Sequence, residues 1–156
     1  MTTTYFDTSV LVAVYVNEPH SGAARRALAK HASVPFIGLH RLELRNALEL
    51  LVGRSQLSAA EREALLTHVA EDVDAGRLVE TAVDLDAVIR RAIDLSAAHT
   101  RRHFTRSLDL LHIAAAQELR CGGFVTGDRR QLKVARAAKL RTTDITRRTR
   151  RAKSVG

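Results

Sequence analysis

The chain has a single cysteine, Cys121, so it can form no intrachain disulfide, and the lone thiol fits a structural bystander in a reducing compartment. Aromatic residues make up only 4% of it while 46% is hydrophobic, which leaves the core to Leu, Val, Ile and Ala. That composition favours helices. No apolar run approaches the ~20 residues a membrane span needs. The first residues, MTTTYFDTS, lack a basic segment followed by a long apolar one, so no secretory signal is expected. A cytoplasmic protein without a membrane partner is the expectation.

At 156 residues one domain is expected, long enough to bury a real core. The net charge of +8 is unevenly spread. Residues 129–156 hold eleven Lys or Arg against one acid, Asp144, a balance of +10, whereas residues 1–128 balance at −2. A cationic surface attracts polyanions and speeds their arrival. An Arg-rich end such as RRTRRAKSVG also fits a solvated tail. The expected division is a folded unit over 1–145 and a basic tail over 146–156.

The apolar pattern predicts short strands alternating with helices. Strands are expected at 3–6, 34–37, 78–80, 124–126 and 140–142. Helices are expected over 10–16, capped by Thr8 or Ser9, and over 18–31, 39–53, 58–75, 84–98, 107–120 and 129–138. The β-branched VLVAVYV run competes as a strand, but Asp7-Thr8-Ser9 has the character of a strand-to-helix turn. Leu39, Leu42, Ala47, Leu48 and Leu51 are expected to face the core, as are Val88, Ile89, Ala92 and Leu95. Ser58 with Glu61 forms a capping-box pattern. The basic stretch 99–106 (HTRRHFTR) is expected to be a loop. This alternation predicts an α/β fold, a three-layer α/β/α sandwich around a mostly parallel sheet.

Four acids stand out against this frame. Asp7 and Asp128 each follow a predicted strand at its carboxyl end, where open α/β sheets bind ligands. Each could equally cap the helix that follows. Glu43 borders the apolar stripe of its helix, with Leu39, Ala47 and Leu50 at related positions. A carboxylate there is costly unless paired or metal-bound, and a salt bridge to Arg41, Arg45 or another base at the stripe's edge is the alternative. Asp109 lies in a first helical turn, where the helix dipole favours an acid, yet Leu108, Leu110, Leu111 and Ile113 surround it. Clustered carboxylates repel one another unless something cationic sits among them. Oxygen donors without Cys or several His suit Mg²⁺ or Mn²⁺ over Zn²⁺.

The segments YFDTSVLVA, RLELRNAL, SLDLLHIAAA and FVTGDRRQL carry these acids, and in their order and spacing the chain resembles PIN-domain proteins, specifically VapC-type toxins of bacterial type II toxin–antitoxin pairs. The likeness covers about residues 3–142. It implies a PIN-like α/β/α fold, Mg²⁺-dependent endoribonuclease activity, dimers and a cognate antitoxin partner. It also assigns the metal to Asp7, Glu43, Asp109 and Asp128, and places Thr8, Ser9 and Thr126 beside the site. The Arg-rich extension past about residue 145 departs from the pattern.

Arg102, His103 and Arg106 precede Asp109 and could hold substrate phosphates, or form a solvated basic loop. His112 fits a core histidine donating a hydrogen bond better than a catalytic base. Asn46 could touch a ligand carboxylate or be an ordinary helix amide. Two other functions fit less well. An aspartyl-phosphate phosphatase using Asp7 wants a second Asp two residues on, and Ser9 stands there. A non-catalytic nucleic-acid-binding module run by the basic C-terminal region leaves the four acids unexplained.

Overall fold

The structure, a computed structural model, describes residues 3–147. Of the expected basic tail, residues 148–156 lie outside the described residues. In chain order the elements are β1 (Thr4–Phe6), α1 (Thr8–Tyr15), α2 (Ser21–Leu28), β2 (Val34–Phe36), α3 (Gly38–Gly53), α4 (Ala59–Asp74), β3 (Leu78–Glu80), α5 (Leu85–His103), α6 (Ser107–Glu118), β4 (Gly123–Thr126), α7 (Arg129–Ala137) and β5 (Arg141–Asp144). All strand pairs are parallel, in ladders β1-β4-β5 and β2-β3 that abut at β1 and β2.

Successive strand residues point to opposite faces, and the two cores follow that alternation. Tyr5 and Phe124 turn toward α5, α6 and α7. Their neighbours Phe6 and Val125 turn toward α1, α2, α3 and α4. The result is the expected three-layer α/β/α sandwich. Ala114, Ala115 and Ala116 are fully buried, which makes α6 the innermost helix of its layer. Gly123 is required where β4 begins, because a Cβ there would lie 2.7 Å from Thr4 Oγ1.

A histidine closes the seam between the two ladders. The Ile37 N–H donates to His40 Nδ1 at 3.1 Å, which puts the ring proton on Nε2, and Nε2 donates to the Phe6 carbonyl at 2.8 Å. The ring is fully buried. Burial, and then the neighbouring His112, lower its pKa from 6.5 to about 3. In the unfolded chain it charges near pH 6.5, so the unfolded state binds the extra proton between pH 6.5 and 3 and stability falls as pH drops through that window. We expect His40 to account for about 3 kcal/mol of the stability lost between pH 7 and 4, seen as a flatter pH dependence of urea midpoints in His40→Gln. Parallel pH profiles for the two proteins would contradict this.

Four expectations are corrected. The 99–106 segment is helical through His103: Arg101, Arg102 and His103 occupy the last turn of α5, where the helix dipole favours cations. Leu42 is exposed, and the buried stripe of α3 is His40, Leu44 and Leu48. Ile89 is exposed on α5 while Val88, Ala92 and Leu95 are buried. The second helix is shorter than expected, at Ser21–Leu28. Cys121 is buried, and burial pushes its thiol up to about 11, away from reactivity.

Candidate active site

Asp7 follows β1 and caps α1, and its backbone N–H donates to the Val125 carbonyl at 2.9 Å, which ties it to β4. Its Oδ2 accepts from the Ser9 N–H at 3.2 Å and from the Ser9 hydroxyl. Its Oδ1 accepts from Gln131 Nε2 at 3.1 Å. Asp128 stands at the matching place after β4. Its Oδ1 caps α7 by accepting from the backbone N–H groups of Arg130 at 2.7 Å and Gln131 at 3.0 Å. In both acids the cap occupies one carboxylate oxygen, so capping does not exclude a second role for the other.

Asp109 lies in the first turn of α6 and is buried. Its Oδ2 accepts from Arg106 Nε at 3.2 Å and more weakly from the Arg106 N–H at 3.3 Å. Burial raises its pKa, and the Asp128 charge adds to the rise against the pull of Arg106. Glu43, half-buried on α3, accepts at Oε2 from the Thr8 hydroxyl at 2.8 Å and from His112 Nε2. Burial pushes its carboxyl up, but the bonds from His112 and Thr8 outweigh that and hold it below its ordinary range. His112 is completed from behind by the Tyr5 hydroxyl, which donates to Nδ1 at 2.8 Å.

These four acids share one cavity of about 450 Å³, with Thr8, Ser9, Arg106, Gly127 and Thr146 in its wall. Three of the expected substrate-binding residues therefore line it: Thr8, Ser9 and Arg106. Thr126 does not. It is fully buried, donating to Gln131 Oε1 at 2.6 Å and accepting from the Asp128 N–H at 3.1 Å, so it reaches the site through its neighbours. Arg102 is exposed on the last turn of α5 and is not in the cavity wall, because the helix carries it past the site. Asn46 is exposed and does not reach the site either.

The sequence reading missed Gln131. It is fully buried and clamps Asp7 Oδ1 to the Thr126 hydroxyl. A signal existed, since Gln131, Val134 and Ala135 lie at helical spacing on one buried face of α7. The bond from the Tyr5 hydroxyl to His112 was also missed, because as a strand residue in an apolar run Tyr5 is indistinguishable from core.

In kind, the four acids fit a hard divalent cation, offering carboxylate oxygens beside the Thr8 and Ser9 hydroxyls, while Glu18 and His20 also line the cavity. In spacing, no three of the acidic or histidine side chains among the described residues already form a coordination shell. Arg106 supplies the cationic charge among them, with Nε on Asp109 and Nη2 4.0 Å from Asp128 Oδ2. Its side chain is largely exposed and can turn outward, so an ion could be taken between Asp7, Glu43, Asp109 and Asp128 without unpacking the core.

Fold and site define a class: a parallel α/β/α domain whose strand ends open on an acidic, oxygen-lined cleft. The chain belongs to the PIN domain family, whose model matches residues 4–137. PIN domains are generally metal-dependent nucleases. Among solved structures, the chain is similar to FitAcB from Neisseria gonorrhoeae, with a TM-score of 0.64 over 90% of this chain and 96% of that one, at 16% identity. No curated protein is similar enough to match. Among the described residues no helix is long and apolar enough to cross a membrane.

Proposed function

We propose that the chain is a Mg²⁺-dependent endoribonuclease, with Mn²⁺ able to substitute, and the toxin of a type II toxin–antitoxin pair. The observation that carries the reading is the convergence of Asp7, Glu43, Asp109 and Asp128 on one cavity at the carboxyl ends of β1 and β4. The toxin assignment, the antitoxin partner, the homodimer and a cytoplasmic location rest on the resemblance of the four motifs to VapC-type proteins.

A divalent ion held by those carboxylates would supply positive charge against the scissile phosphate and ease deprotonation of water. The chain's own residues do the positioning. Gln131 fixes Asp7, His112 and Thr8 fix Glu43, and the Thr126 hydroxyl fixes Gln131. Glu43 orients the attacking water. Arg106, at the cavity mouth, turns from Asp109 toward a non-bridging phosphate oxygen and contributes charge there. Attack in line with the departing 3′ oxygen leaves a 5′-phosphate and a 3′-hydroxyl. The RNA 2′-hydroxyl takes no part in that chemistry, so preference for RNA is a property of the binding surface.

Induced expression of the wild type beside Asp7→Ala, followed by sequencing of RNA 5′ ends, tests the proposal. New 5′-phosphate ends at discrete sites are expected with the wild type alone. Their absence, or their persistence in Asp7→Ala, would refute it. Growth arrest by the wild type, relieved by co-expressing a small adjacent reading frame, is the result expected of a toxin.

A further inference from the structure

The chain has six aromatic side chains: Tyr5, Phe6, Tyr15, Phe36, Phe104 and Phe124. Five are buried or half-buried, whereas Phe104 is 73% exposed. Its backbone is in the left-handed region, at φ 53, where a bulky residue is strained. The N–H ends α5 by donating to the Thr100 carbonyl at 2.7 Å, a position that favours glycine. Neither core packing nor backbone geometry accounts for a phenyl ring there. Its place in the chain points to a use.

Phe104 stands two residues before Arg106, and its carbonyl accepts from Arg130 Nη1 at 3.3 Å. Arg106 belongs both to the carboxylate cavity and to a neighbouring concavity of about 540 Å³, which Arg129 and Arg130 also line. Arg129 in turn borders a third concavity of about 360 Å³, walled by Lys133, Arg136 and Arg147. Among the described residues, Asp128 and Asp144 are the acids lining these two outer concavities. A cationic strip thus runs from the mouth of the site along the outer face of α7, and the exposed Phe104 joins its inner end through the bond from Arg130 to its carbonyl.

We infer that Phe104 and the outer face of α7 form a track for single-stranded RNA, one base stacking on Phe104 while Arg129, Arg130, Lys133 and Arg136 hold the backbone phosphates. The inference rests on the nuclease reading, since the track leads into the carboxylate cavity. Stacking on an exposed ring needs an unpaired base face, so it selects single strands. Cations spaced along one helix face follow a phosphate backbone without reading sequence.

The test uses the full chain and a short fluorescein-labelled single-stranded RNA, with affinity followed by anisotropy in EDTA so that the strand stays whole. Phe104→Gly relieves the backbone strain, so it is expected to melt no lower than the wild type. It is also expected to bind at least about 5-fold more weakly, the range of one lost base stack. Phe104→Trp is expected to restore binding. The wild-type affinity for a duplex of the same sequence should be unmoved by Phe104→Gly. Replacing Arg129, Lys133 and Arg136 together by Gln is expected to lower the slope of log K against log salt by about 2, at ~0.7 per phosphate contact on single strands.

Wild-type affinity and salt dependence in Phe104→Gly and in the triple Gln variant, with the wild type still cleaving RNA, would overturn the track, leave the nuclease reading standing and give Phe104 to a protein partner. The predicted losses of binding, with no cleavage by the wild type under Mg²⁺ or Mn²⁺, would support the track and refute the nuclease reading. Equal losses on single strand and duplex in Phe104→Gly would overturn the stacking role.

Discussion

Asp7→Asn is expected to lower divalent-metal-dependent RNA cleavage on the order of 10³-fold, or about 4 kcal/mol of transition-state stabilisation, while leaving the protein folded. The substitution separates two jobs that one side chain performs. Asn caps a helix about as well as Asp, and its single oxygen can still accept from the Ser9 N–H and hydroxyl. What it cannot do is carry negative charge beside Glu43, Asp109 and Asp128. The Asn amide nitrogen would replace the oxygen that accepts from Gln131 Nε2, so stability should fall by about 1–2 kcal/mol, far short of unfolding, while turnover is lost. Unfolding together with loss of turnover would mean that Asp7 is mainly a cap. Retention of full activity would remove it from the site. The same logic holds for Asp128, whose Oδ1 is committed to the cap of α7 and whose Oδ2 is the oxygen nearer Arg106.

His112→Leu is expected to cost about 2–4 kcal/mol of stability and about 10–100-fold in cleavage. The histidine is fully buried and joins Tyr5 to Glu43. Burial first, and then the charges of Asp7 and Glu43, push the Tyr5 phenol well above its ordinary pKa, so its hydroxyl stays protonated and needs an acceptor. Leucine of similar bulk fills the space but leaves that hydroxyl unpaired, and it removes the group that holds Glu43 in place. Adding Tyr5→Phe deletes the orphaned hydroxyl. The double variant should then regain about 1 kcal/mol or more in urea denaturation, with the activity loss unrelieved because Glu43 is still unheld. Strictly additive losses would show that Tyr5 and His112 do not act as a unit.

The layered fold was legible because its signals are local. Strand ends marked by Asp-Thr-Ser and Gly-Asp, the capping box at Ser58 and Glu61, and the alternating apolar runs all depend on neighbours in the chain. Errors arose where local signals were ambiguous. The α3 segment has leucines on more than one side, and the buried side is the one completed by a histidine, which no hydropathy pattern counts as core. In α5 the run of cations resembled a loop, although cations suit a helix C-terminus. The four acids were legible through position and motif. Their supports were not, because the bond from His112 to Glu43 spans 69 residues and that from Gln131 to Asp7 spans 124. Such pairs exist only once β1 and β4 lie side by side.

The central claim is that Asp7, Glu43, Asp109 and Asp128 form one site for a hard divalent cation. Calorimetric titration of Mn²⁺ into the purified chain, beside Asp7→Asn, Glu43→Gln, Asp109→Asn and Asp128→Asn, tests it directly. The account predicts saturable binding by the wild type, weakened about 10-fold or more by each substitution, with Mg²⁺ competing. No heat of binding in the wild type, or wild-type affinity in all four variants, would contradict it.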